Sequence, residues 1–299
     1  MRRSPNTISQ ELIRNRVRRS YQPKKAQHKA YVRRRYAKYQ GMKIVAHDTL
    51  KQEIMARLYD DQSPEAIAGY IRRHQTLPAI SKDAIYRFIA SVYGRRVEAH
   101  RTRRRKRRRN KRTRTMALTN RVFIEKRPKH IATRTRIGDA EADFIVSGRS
   151  GKGILLVVVD RKSRAAFMER ILCPTISKVH AAFLRITERF PELRTLTMDN
   201  DILFAKHEEL ARLLGVRIYF CHPYHSWEKG TVENTNKVIR RDIPKGSDLS
   251  RYTKRFIEAL ERKLNRRPMK CLAYRSPREV LELHRQRKTK KHTRKRCPN

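Results

Sequence analysis

Acidic residues are scarce in this 299-residue chain: 28 Asp and Glu stand against 75 Lys and Arg, giving a net charge of +47. A chain this positive binds polyanions, and nucleic acid is the commonest of them in a cell. Cysteine is also sparse. Cys173, Cys221, Cys271 and Cys297 form no CxxC pair and no even framework, which excludes a disulfide scaffold and points to a reducing compartment. Cys221-His222-x-x-His225 has no second ligand pair nearby, so it does not make a zinc site. Long apolar runs are missing too. The longest, Ile154-Leu-Leu-Val-Val-Val159, falls far short of the roughly 18 residues a membrane span needs and reads as a buried strand. No signal peptide is visible, so a soluble intracellular protein without membrane association is expected.

The few acids are unevenly placed. Residues 137–235 hold 13 of the 28, whereas the first 120 residues hold only 8. One region therefore carries carboxylates between flanks of almost pure positive charge. The length allows one catalytic domain with one or two small modules.

Residues 63–92 read as a helix-turn-helix. Ser63-Pro64 supplies a cap and a first-turn proline, and Ile67, Ala68 and Ile71 then share a face. Ser81 caps a second helix, with Ile80 and Ile85 as a hydrophobic staple. Ile85, Phe88 and Ile89 point inward, which leaves Lys82, Asp83, Tyr86 and Arg87 outward, where a recognition helix meets the major groove. The alternative is a plain helical hairpin. Ser4-Pro-Asn-Thr-Ile8 repeats the spacing from cap to staple, and Leu12 matches Ile89, so the first residues read as half of a second such module, lacking its supporting helix. Residues 101–114 contain 11 Lys or Arg out of 14 and read as a solvated linker along phosphate; residues 285–296, with 8 basic residues out of 12, read as a tail of the same kind.

Between these runs the pattern is α/β. Strands are expected at 141–147, 154–160, 164–171, 195–198 and 216–220, and helices at 176–190, 206–214, 229–241 and 251–265. Three strands followed by alternating helix and strand predict a ribonuclease-H-like arrangement, three antiparallel strands and then two parallel ones. In that arrangement Asp143 lies on the first strand, Asp199 ends its neighbour, and Glu233, with 33 residues intervening after Asp199, lies on the helix after the fifth strand. Three such carboxylates suit a pair of Mg²⁺ ions flanking a scissile phosphate, because hard cations prefer oxygen. Asn236, Lys237 and Arg240 share the helix face of Glu233 at i+3, i+4 and i+7. Lys237 and Arg240 then hold DNA phosphate, the alternative being a surface ion pair between Glu233 and Lys237. Trp227, the only tryptophan, either packs the preceding loop or stacks on an unpaired base.

At these residues a resemblance becomes specific. Gly138-Asp-Ala-Glu-Ala-Asp143, Val159-Asp-Arg-Lys-Ser-Arg164, Thr195-Leu-Thr-Met-Asp-Asn200 and His222-Pro-Tyr-His-Ser-Trp-Glu-Lys-Gly-Thr-Val-Glu-Asn-Thr-Asn236 resemble bacterial insertion-sequence transposases of the insertion-sequence-thirty family, and more loosely the retroviral-integrase-like core. Lys245-Gly246, Leu264-Asn-Arg-Arg-Pro268 and Tyr274-Arg-Ser-Pro277 extend the match. The departures are Ala140 and Ala142 around the first acid, Asp201 and Leu203 after the second, and Glu228 before the third. The resemblance implies a DDE transposase with Asp143, Asp199 and Glu233 as catalytic and metal-binding acids, using Mg²⁺ with Mn²⁺ able to substitute. It also implies double-stranded DNA partners (terminal inverted repeats and target), a homodimer or higher homo-oligomer on DNA, and a bacterial cytoplasmic, nucleoid-associated location. The expected organisation is a partial helix-turn-helix with a basic segment over 1–45, a helix-turn-helix DNA-binding domain over 46–100, an Arg/Lys-rich linker over 101–128, an integrase-type catalytic domain over 129–284 and a basic tail over 285–299. The rivals are a non-enzymatic DNA-binding protein derived from a decayed transposase, which has no need of three acids, and an RNA-binding protein, which rarely carries a carboxylate-rich α/β core.

Overall fold

Alternation along one central strand decides which side chains meet the chemistry and which meet the core. The computed structural model describes residues 4–16, 20–37, 42–94, 96–97, 120–148, 151–222 and 226–296, without the side chains of 34–37, 42, 226–227 and 290–296. It divides into two compact units, residues 1–103 and 104–299. The 101–114 linker lies outside the described residues.

The first unit is helical: α1 (Pro5–Asn15), α2 (Pro23–Ala37), α3 (Met42–Ala46), α4 (Asp48–Tyr59), α5 (Pro64–His74) and α6 (Lys82–Ala90). Ser63 and Ser81 accept hydrogen bonds from the amides of Ala66 and Ala84, both at 3.2 Å, so the two expected caps form. Ile67, Ile71, Ile80, Ile85, Phe88 and Ile89 are buried together, while Lys82, Asp83, Tyr86 and Arg87 are exposed. α4 is not marked by a capping serine in the sequence, yet its Leu50, Ile54 and Leu58, recurring every fourth residue, complete this core. The proposed equivalence of the first residues stops at the cap. Ser4 does accept from the Thr7 amide at 3.3 Å, but Ile8 and Leu12 are 51% and 43% exposed where Ile85 and Ile89 are buried. α1 is instead fastened through Asn15, which donates to Glu11 at 2.6 Å and accepts from Arg33 of α2.

In the second unit β1 (Asp139–Val146), β2 (Ile154–Asp160), β3 (Ala166–Ile171), β4 (Thr195–Met198) and β5 (Arg217–Phe220) form one sheet in the order β3-β2-β1-β4-β5. The β1–β2 and β2–β3 pairs are antiparallel, and the β1–β4 and β4–β5 pairs are parallel. This is the ribonuclease-H-like topology expected from the sequence. α7 (Lys129–Ala132) precedes the sheet, and α8 (Ile176–Arg189), α9 (His207–Leu214), α10 (Gly230–Ile239), α11 (Lys254–Arg266) and α12 (Pro277–Arg296) follow. Ala140 and Ala142 of β1 face a core with Phe183 and Ile186 of α8 and Leu210 of α9. Ile145, Leu155, Val157 and Val159 face the other, with Val232 and Ile239 of α10 and Leu260 and Leu264 of α11. Because side chains on a strand alternate, Glu141 and Asp143 project on the same face as Ile145, beneath α10.

Two sequence boundaries are corrected. Residues 120–128 are not linker: the Phe220 amide donates to the Val122 carbonyl at 2.8 Å, and Phe123 bridges to Phe220, so this segment lines the β5 edge. Residues 285–296 continue α12 rather than forming a tail, and Arg285 grips Glu192 at 2.8 Å. Among the described residues no helix is long and apolar enough to cross a membrane.

The opposite edge is closed by side chains. The Ala166 amide of β3 donates to Asn265 Oδ1 at 2.8 Å, Asn265 Nδ2 returns a bond to the Ala166 carbonyl at 2.7 Å, and the Met168 amide donates to Glu261 at 2.6 Å. Unpaired edge groups are thereby satisfied by α11. Asn265→Ala removes both partners of Ala166 and should cost about 1–3 kcal/mol. A lower urea midpoint at unchanged slope is the expected reading; an unmoved midpoint would show that water replaces both bonds without loss.

Candidate active site

The register of β1 against β4 pairs Asp139 with Thr195, Ala140 with Leu196 and Glu141 with Thr197. The same offset brings Asp143 level with Asp199, just beyond the end of β4, and strand parity puts both carboxylates on one face. They meet there through a lysine. Lys229 Nζ lies 3.2 Å from Asp143 Oδ1 and 2.9 Å from Asp199 Oδ2, with its side chain only 6% exposed. Asn236 donates to the other Asp143 oxygen at 2.8 Å. Burial, and then repulsion from Asp199, push the Asp143 carboxyl up to about 6 against the pull of Lys229. Burial also disfavours the Lys229 ammonium, but Asp199 and Asp143 outweigh it, and the net shift is upward.

The loops around Asp199 are pinned. Asn200 donates to the Cys221 carbonyl at 2.9 Å and accepts from Arg121, while the Cys221 amide donates to the Met198 carbonyl at 2.9 Å. Burial pushes the Cys221 thiol up to about 12, so it keeps its proton at neutral pH. His222 meets Glu228 at 3.0 Å and Glu125 at 2.5 Å, and Glu228, a departure from the family pattern, thereby clips the segment leading into α10. Asp201, another departure, caps a short turn by accepting from the Leu203 amide at 3.0 Å, and burial raises its pKa. Leu203 packs on the core.

α10 carries Glu233, and its first turn is anchored by Glu141 of β1. Glu141 Oε2 accepts from the amides of Thr231 and Val232 at 2.8 and 2.9 Å, supplying the cap that the N-terminal residue Lys229 does not. A carboxylate there also meets the positive end of the helix dipole. Arg161 Nε stands 3.2 Å from Glu141 Oε1, a charge contact outside hydrogen-bond geometry. Burial, then the neighbouring Arg127, lower the Arg161 pKa.

Asp143 and Asp199 are thus brought together, joined by Lys229 from the residue before α10 and by Asn236 from α10 itself. Glu233 lies between those two in sequence, half-buried on α10, but it is not drawn into the cluster: among the described residues no three His, Cys, Asp or Glu side chains are close enough to hold a metal ion. The alternative reading of this face, a surface ion pair between Glu233 and Lys237, is not formed among the described residues. Lys237 is exposed, whereas Arg240 is half-buried and donates to the Pro244 carbonyl at 3.4 Å. The Trp227 side chain lies outside the described residues. Lys229 was legible only as the residue four before Glu233, and Glu141 only as sharing strand parity with Asp143.

A divalent cation fits the acid pair. The two carboxylates already share one positive charge, and Asp199 Oδ1 is buried without a hydrogen-bond partner among the described residues. Oxygen donors of this kind suit a hard cation.

No protein-family model matches the chain. It is 36% identical over 284 residues to the transposase for insertion sequence element IS4351 of Bacteroides fragilis, covering 92% of this chain and 85% of that protein. It is 33% identical over 304 residues to transposase InsI for insertion sequence element IS30A of Escherichia coli K12 (94% and 76%). The transposase for insertion sequence element IS1086 of Cupriavidus metallidurans is 30% identical over 296 residues (93% and 86%). Among solved structures, the catalytic core domain of BIV integrase is similar over 50% of this chain and 97% of its own, at 19% identity and a TM-score of 0.39. At 30–36% identity over about 93% of its length, the chain belongs to the IS30 family of insertion-sequence transposases.

Proposed function

We propose that this chain is a DDE transposase that binds the terminal inverted repeats of an insertion sequence and cuts and joins DNA at Asp143, Asp199 and Glu233, using Mg²⁺ with Mn²⁺ able to substitute. The observation that carries the reading is the juxtaposition of Asp143 and Asp199 around a single cation, beneath the helix that bears Glu233. Divalent cations held there would supply charge neutralisation at the phosphate and activation of the nucleophile. Asp143 on β1 and Asp199 just beyond the end of β4 would hold the metal, and Glu233 would complete the set by a turn of its side chain toward them. Lys237 and Arg240, further along α10, would hold phosphate beside the scissile bond. In the first step water attacks the phosphorus and the 3′-oxygen leaves as a 3′-hydroxyl; in the second, that 3′-hydroxyl attacks a target phosphodiester, its oxygen bonds to the target phosphorus and the target strand's own 3′-oxygen leaves, taking up a proton. No covalent enzyme intermediate is needed. Pairing two element ends requires at least a dimer.

The direct test incubates the full chain with duplex carrying an element end and a target plasmid. Mg²⁺-dependent nicking and joined product are expected. Sequence-specific binding with no nick under any divalent cation would favour the non-enzymatic DNA-binding alternative.

Sequence discrimination is assigned to α6. Its Lys82, Asp83, Tyr86 and Arg87 are exposed above a buried core that holds the helix rigidly, whereas α1 leaves its apolar residues in solvent. A good bidentate base contact contributes about 1–3 kcal/mol of discrimination. Replacing Lys82 and Arg87 together should therefore erode the preference for element-end DNA more than it weakens binding to random duplex, and replacing Asn6 and Gln10 should leave the preference intact. Competition binding at fixed salt decides. The opposite ranking would make α1 the reader.

A further inference from the structure

Lys229 does more than neutralise a charged pocket. It sits at the N-terminal boundary of α10, almost fully buried, and its ammonium is within 3.2 Å of Asp143 and 2.9 Å of Asp199, the two residues assigned above as metal ligands. A cation that bridges both carboxylates would need the space the ammonium fills. Like charges at such separations repel strongly in a site shielded from water. The lysine and the divalent cation therefore compete for the same oxygens.

We propose that Lys229 is a resident counter-ion of the acid pair that gates metal loading: it holds Asp143 and Asp199 together in the metal-free protein and must leave before a divalent cation binds both. This rests on the assignment of the acid pair as the metal site. The sign of the effect separates gating from a merely structural role. A structural lysine, once removed, would leave a poorer metal site; a competing lysine, once removed, leaves a better one.

The experiment measures Mn²⁺ affinity of the DNA-free full chain at fixed pH and salt, by the electron paramagnetic resonance signal of free Mn²⁺. Lys229→Met and Lys229→Gln should each bind Mn²⁺ at least about tenfold more tightly than the unmodified protein, since a competing positive charge is gone. Lys229→Arg, which keeps the charge, should not gain affinity. Folded neutral variants with unchanged or weaker affinity would overturn the proposal. A second measurement needs no substitution. Acylation of Lys229 by an amine-reactive reagent, read by mass spectrometry, should rise when Mn²⁺ saturates the protein; unchanged labelling at saturation would overturn the proposal equally. Asp199→Asn separates the two levels of inference. If it abolishes Mn²⁺ binding while the lysine variants match the unmodified protein, only the gating role fails. If it binds Mn²⁺ as well as the unmodified protein, the metal-site assignment fails and the gate with it.

Discussion

Glu141→Ala should cost about 3–5 kcal/mol of folding stability, the range for removing one partner of a buried ion pair. Glu141 is 1% exposed and Arg161 6%, so neither charge has water to fall back on. The substitution strips the carboxylate from two amides at the start of α10, those of Thr231 and Val232. It also leaves Arg161, whose Nε and Nη1 already lack hydrogen-bond partners among the described residues, as a buried charge without the acid it is paired with. Glu141→Gln keeps an oxygen for the helix amides and should cost less, with the difference reporting the charge. Urea unfolding of the three proteins measures this. An alanine variant with the unmodified midpoint would mean that α10 is positioned by its apolar contacts alone, and that Glu141 has no part in holding Glu233 over the sheet.

Asp199→Asn should lower strand cleavage by at least about a thousandfold, which corresponds to roughly 4 kcal/mol of lost transition-state stabilisation. The amide is nearly isosteric, so the turn after β4 and its bonds through Asn200 should persist. What disappears is the negative charge that, with Asp143, attracts a cation into this end of the sheet. Duplex binding should be nearly unchanged, because affinity comes mainly from the large excess of Lys and Arg and from phosphate contacts made elsewhere. A gel assay for nicked element-end duplex, run beside a binding assay at the same salt, separates the two quantities. Near-normal cleavage in Mg²⁺ would remove Asp199 from the chemistry.

Much of this architecture is legible in the sequence because it is written at short range. The apolar run Ile154–Val159 announces a strand buried on both faces, and serine caps at Ser63 and Ser81 mark helix starts within a residue. The acids at Asp143 and Asp199 stand at strand positions whose parity and register bring them level. What escaped the sequence depends on partners far along the chain. Glu141 caps a helix 90 residues away, and no local capping pattern can reveal a cap from another element. Arg121 and Arg127 look like more linker charge, yet their guanidinium groups bond Asn200 and Thr197. The helix through residues 285–296 has basic residues on every side, so it offers no apolar periodicity to read. Ile8 and Leu12 fail in the opposite sense: their spacing copies Ile85 and Ile89, but spacing does not supply the surface that would bury them.

Glu233 lies on α10 but is not drawn to Asp143 and Asp199. Anomalous scattering from Mn²⁺ in crystals of the full chain bound to element-end duplex measures this directly. Density is expected between Asp143 and Asp199, with the Glu233 carboxylate turned into the coordination sphere. Manganese bound away from Asp143 and Asp199, or held by them with Glu233 still pointing elsewhere, would contradict it.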